Sequence, residues 1–249
     1  MIKKSNLNKY SIPHQLDSIE QKIFVGSIIY ELYNLKGSKP LSIFGIDLIS
    51  RKICPNPEMM FSIISEILQK DFSNDDLYSS EFIVPIKLAK ELASDEFKKE
   101  VLKNSDELIN IWTEISIYEA IEYVNQLLIK INSKQVCLEK AWPVIARLNQ
   151  HFSAGQLWNL SYKANQRACE IILTKKINEE NYPDILIESI LEKGLFYVDR
   201  GLTLLPFKRW GKLCRQSEFS RYFFETILEI GEDGFTNKPS TTFIKQSEG

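Results

Sequence analysis

"HFSAGQLWNLSYKANQRACEIILTK", residues 151–175, is the stretch on which the fold class turns. Ser153 precedes Gln156 by three positions, the spacing of a capping box, in which the serine hydroxyl and the glutamine side chain satisfy each other's backbone N–H groups. Leu157, Leu160, Ala164, Ala168, Ile171 and Ile172 then recur every three or four residues. That period gathers them on one face of a helix, and the spacing predicts helix to about Lys175.

The same grammar extends in both directions. Upstream, Ser105 opens a helix expected over 106–132, with Leu108, Ile111, Trp112, Ile115, Tyr118, Ile121, Val124, Leu128 and Ile131 facing inward. Further upstream, Asn56 is a good N-cap, Pro57 suits the first helical position, and Glu58 complements the positive end of the dipole. Met60, Ile63, Ile64, Ile67 and Leu68 follow at helical spacing. Other helices are expected from Pro13 to Asn34, Leu41 to Lys52, Pro85 to Asn104, and Ser217 to Ile230, with a short one ending at Gly194. Residues 71–84 read as irregular. β-prone residues around Asp199-Arg200-Gly201 predict a short hairpin near 195–205. With only 10 glycines and 9 prolines, placed between periodic segments, the class expected is all-α. The arrangement is an irregular multi-helix bundle of about eight to nine helices with one short β-hairpin. A charge shift suggests an N-terminal helical subdomain over 1–133, a C-terminal one over 134–231, and a flexible tail over 232–249.

The 249 residues are 44% hydrophobic and 26% charged, enough for a sizeable core. Net charge is −2, so no global field favours nucleic acid or an anionic membrane. Cys54, Cys137, Cys169 and Cys214 are far apart and only two histidines accompany them, which does not make a zinc cluster. Reduced thiols are expected. "MIKKSNLNKYSIPHQ" has no apolar core of a secretory signal, and no apolar run spans a bilayer, so a cytoplasmic protein without membrane contact is expected. Abundant Ile, Lys and Asn fit an AT-rich bacterial or mobile-element genome.

Catalytic signatures are absent from the sequence. No GxxxxGK[ST], GxGxxG, GxSxG or HExxH occurs. Glu114, Glu119 and Glu122 are read as an exposed acidic face, because a di-iron bundle would need Glu-x-x-His pairs. Residues 41–70 have the size of a helix-turn-helix, yet the second helix presents Glu58 and Glu66 where phosphate would lie. No catalytic residue, metal ligand or cofactor is assigned.

One segment stands apart. "LPFKRWGKLCRQSEFSRYFF", residues 205–224, interleaves bases with aromatics, and residues 200–221 hold six bases against one acid. Residues 74–120 hold eleven acids against five bases. Phosphate neutralisation and base stacking need that basic-aromatic composition. Phasing assigns Phe219, Phe223, Ile227 and Ile230 to a core, leaving Lys208, Arg209, Trp210 and Lys212 in an exposed loop. The candidate polyanion- or partner-binding residues are Arg200, Lys208, Arg209, Trp210, Lys212, Arg215 and Arg221. The function expected is a non-enzymatic helical interaction or scaffold protein, acting through charged surfaces on a protein partner or on itself. The alternative is a nucleic-acid-associated protein using 200–221.

Overall fold

The computed structural model describes residues 8–32, 41–50, 52–70, 76–77, 79–175, 178–209 and 215–246. It is predominantly helical, with one small three-stranded sheet. It divides into two compact units. The first comprises residues 1–111, 216–230 and 241–249; the second comprises 112–215 and 231–240. The division falls after Ile111, inside a long helix, whereas the charge shift had suggested a break near residue 133.

The first unit opens with strand β1 (Asn8–Ser11), then helix α1 (Ile19–Leu32). The helix begins later than Pro13 because Ile12 still donates to the carbonyl of Ile83 (2.8 Å), continuing the sheet. Ser18 is the cap instead: its hydroxyl accepts the Gln21 N–H at 3.1 Å. Strand β2 (Leu41–Phe44) and helix α2 (Gly45–Ser50) replace the single helix expected over 41–52. Gly45 permits the junction, since a Cβ there would lie 1.9 Å from the Leu77 carbonyl oxygen. Helix α3 (Pro57–Leu68) has the expected Asn56 cap, whose Oδ1 accepts the Glu58 N–H at 2.9 Å.

Strand β3 (Ser80–Val84) occupies the end of the segment read as irregular. It pairs in parallel with β1 and antiparallel with β2, and buries Ser80, Phe82 and Val84 in the alternation of a half-buried strand. The helix expected over 85–104 is two, α4 (Ile86–Leu92) and α5 (Asp95–Leu102). Ser94 interrupts it by capping the second, its hydroxyl accepting the Phe97 N–H at 3.2 Å.

The long helix α6 spans Ser105–Ile129 and crosses from one unit's residues into the other's. In the second unit follow α7 (Leu138–Asn149), α8 (Ala154–Lys175) and α9 (Tyr182–Asp199). The capping box forms as the spacing requires: Gln156 N–H donates to Ser153 Oγ (3.3 Å) and Ser153 N–H to Gln156 Oε1 (2.9 Å). The expected hairpin near 195–205 does not occur. Gly194 is no helix terminator but a packing point within α9, where a Cβ would come 2.4 Å from Leu148 Cδ2. The helix therefore continues to Asp199, and 202–209 runs on without helix or strand. Leu148, Leu157, Leu160, Leu186 and Ile190 form the centre of this unit's core.

Residues 217–230 return to the first unit. Ser217 caps a single α-turn, Glu218–Arg221, and Tyr222–Ile227 then winds as a π-helix. Leu228 N–H accordingly reaches back five residues to the Phe223 carbonyl, at 2.9 Å. Phe219 and Phe223 are completely buried, as the phasing required. Residues beyond 231, expected to be a flexible tail, form two short helices, Asp233–Thr236 and Thr241–Gln246. Phe235 and Ile244 are fully buried within their respective units. No helix among the described residues is long and apolar enough to cross a membrane.

Candidate interaction surface

Arg209, expected in an exposed loop, is enclosed in the second unit with 8% of its side chain accessible. Its Nη2 donates to both oxygens of Glu119, at 2.9 and 2.7 Å, and its Nη1 to Glu232 Oε2 at 3.0 Å. The Arg209 backbone N–H donates to Glu232 Oε1 (3.1 Å), and the guanidinium lies over the Phe235 ring at 4.3 Å. Glu119, read as part of an exposed acidic face, is only 7% accessible. The most promising cation of the basic segment is thus spent on an acid ninety positions away in sequence. A forked, two-sided ion pair of this kind is structural, because phosphate could reach the guanidinium only by displacing carboxylates already paired with it.

The other candidates are dispersed. Arg221, in the first unit, bridges Glu31 (2.6 Å) and Glu218 (2.5 Å). Arg200 is exposed, with its guanidinium 4.6 Å from the centre of the Phe196 ring. Lys208 and Arg215 are exposed. Trp210 and Lys212 lie outside the described residues. The acidic segment is dispersed as well: Glu81 pairs with Lys9 and Glu100 with Lys22.

What the segment does present is apolar. Residues 202–208 form a strap without helix or strand across the start of α8. Gln156 Nε2 donates to the Leu204 carbonyl (2.7 Å), Asn159 Nδ2 to the Leu205 carbonyl (2.8 Å), and Phe207 N–H to the Gly155 carbonyl (2.9 Å). Gly155 is required for that approach, since a Cβ would meet the Phe207 carbonyl oxygen at 2.7 Å. Leu204 points inward, while Leu205 is 74% exposed and Leu202 about half exposed. Tyr162 and Phe196 are also exposed, and Tyr162 leans towards the Phe207 ring at 6.0 Å. Among the described residues, the N–H groups of Thr203 and Leu205 meet no acceptor. A segment with open donors and outward-facing leucines offers a partner strand the same groups that a sheet edge does.

Each unit also holds a cavity. In the second unit, about 400 Å³ opens between the turn at Ile131–Lys134 and the end of α8. Cys169 Sγ lies 2.9 Å from the Tyr182 hydroxyl there, and burial followed by that contact raises the phenol's pKa. In the first unit, about 500 Å³ opens beside the π-helix; its spacing signal, Phe219-Phe223-Ile227, reads as ordinary helix and conceals the extra residue per turn. Cys54 is buried, and burial raises its thiol pKa. No group of three or more His, Cys, Asp or Glu gathers to hold a metal among the described residues.

No family model, curated protein or solved structure matches the chain.

Proposed function

We propose that the chain is a non-enzymatic interaction protein that binds an extended, acid-bearing apolar segment of a protein partner along residues 202–208. The observation that carries this reading is the strap itself. Leu202 and Leu205 stand outward from a backbone anchored by Gln156 and Asn159. A partner strand laid beside it would take the Thr203 and Leu205 N–H groups and cover both leucines, the mode by which sheet edges recruit peptides. Arg200 and Lys208 flank the strap, with Asp199 beside Arg200, so cations predominate at its ends. Such rim charges govern encounter rate and orientation more than affinity. The nucleic-acid alternative loses Arg209 to Glu119 and would rest on Arg200, Lys208 and Arg215.

The test compares the tagged full chain with a Leu202→Asp/Leu205→Asp variant, each purified from its native cells. The docking segment of any recovered partner is then synthesised and titrated. The expected result is affinity at least about tenfold weaker for the variant, as for loss of interface anchors, and slowed hydrogen exchange at Thr203 and Leu205 on binding. Equal affinity for both forms, protection elsewhere, or recovery of nucleic acid in place of protein would refute it.

A further inference from the structure

We infer that the first unit holds a binding site for a small organic cation, an aryl- or alkylammonium, in the cavity between α1, α5 and the π-helix Tyr222–Ile227. This inference is independent of the strap. The cavity of about 500 Å³ falls within the range that accommodates small molecules. Its existence follows from two local departures from ordinary helix packing. Gly26 leaves α1 bare, and the Tyr222 ring lies directly on that face: a Cβ would come 3.0 Å from both Cε1 and the hydroxyl oxygen. The π-helix widens the opposite wall, a device concentrated at functional sites.

The floor is apolar and aromatic. Tyr222 is buried and held by donation from its hydroxyl to the Leu92 carbonyl at 3.3 Å. Tyr30 stands exposed beside it, ring centres 5.5 Å apart and tilted by 47°. Phenol faces attract cations, and Arg221 already sits 5.8 Å from the Tyr30 ring centre. Asp95 and Lys98 are the charged residues that line the space. Lys98 is engaged by Glu229, and Arg221 is shared between Glu31 and Glu218. Asp95 lines the cavity, exposed, and has no cationic partner among the described residues. The Thr226 hydroxyl also borders the space and meets no hydrogen-bond partner among the described residues. An apolar floor, two phenol rings and an exposed carboxylate without a cationic side-chain partner among the described residues favour a positively charged head on an apolar body over a carboxylate ligand.

The experiment titrates the full chain with three isosteric probes, followed by ligand-observed NMR: phenethylammonium, the neutral phenethyl alcohol, and the anion phenylacetate. The cation is expected to bind, the alcohol about tenfold more weakly, and the anion not at all, as the aromatic and carboxylate contributions together imply. Asp95→Asn should weaken the cation about fivefold towards the alcohol's level, with the circular dichroism spectrum unchanged. Ala93→Trp, placed at an exposed lining position, should block every probe. Binding of phenylacetate as tight as that of phenethylammonium would overturn the inference. So would binding that survives both substitutions, or no binding of the cation up to about 10 mM.

Discussion

Replacing Arg209 with methionine keeps most of the side chain's volume and removes its charge. Glu119, 7% accessible, would then hold a carboxylate in the interior without the guanidinium that grips both of its oxygens. Removing one member of a buried pair costs about 3–5 kcal/mol. An exposed pair such as Lys140–Asp184, at a similar 2.7 Å, is worth only about 0.2–1 kcal/mol. Glu232 adds little to the loss, because water reaches its carboxylate. For a chain of this size each kcal/mol lowers the melting temperature by about 2–4 °C, so the chain should melt roughly 6–20 °C earlier. Thermal unfolding followed by tryptophan fluorescence reports this directly, since Trp158 lies in the same core. The decisive control is Arg209→Met with Glu119→Leu, which removes both charges and should recover most of the loss. A single-variant cost below about 1 kcal/mol, or a double variant as unstable as the sum of its parts, would refute the assignment of this pair to the interior.

Three further outcomes follow from particular contacts. Gly194→Ala should destabilise by about 1–3 kcal/mol in urea denaturation despite alanine's better helix propensity, because its Cβ meets Leu148 at 2.4 Å; Leu148→Val in the same chain should relieve part of that loss. Gln156→Ala removes half of the capping box and the donor to the Leu204 carbonyl, and should cost about 1–2 kcal/mol with faster hydrogen exchange in the strap. Tyr222, with its pKa pushed up to about 12 by burial and then by Tyr30, holds its proton more tightly folded than unfolded. Its contribution is therefore complete below pH 10 and lost as pH rises from 10 towards 12, so Tyr222→Phe should flatten the alkaline fall in stability measured by urea titration.

The helices were legible wherever a cap and a period agreed within one segment. Asn56-Pro57, Ser153 with Gln156, and the run from Leu108 to Leu128 needed no distant partner to be read. The strands gave no comparable signal, since Asn8–Ser11, Leu41–Phe44 and Ser80–Val84 are four or five residues each and acquire meaning only by pairing across the chain. Ser18 and Gln21 carried the same box as Ser153 and Gln156 and would have moved the start of α1 from Pro13. Gly194 looked like punctuation because its true cause, the Leu148 side chain, is 46 positions away. In the basic-aromatic segment, the inward face of Phe219 and Phe223 was legible from their spacing, but composition does not disclose pairing. Arg209 and Glu119 each looked exposed by their own neighbours in sequence, and it is their mutual contact that makes both interior.

The order in which residues enter the two units has a consequence for biosynthesis. Phe219 and Phe223 complete the centre of the first unit, yet more than a hundred residues belonging to the second separate them from Ile111. The ribosome must therefore synthesise more than a hundred further residues before the segment ending at Ile111 can close its interior. Until then Phe24, sealed in the finished protein, lacks the Phe219 ring that packs 6.3 Å from its own. A nascent chain in this condition is a natural client for a chaperone, and a premature stop ahead of residue 219 would leave neither half able to mature alone.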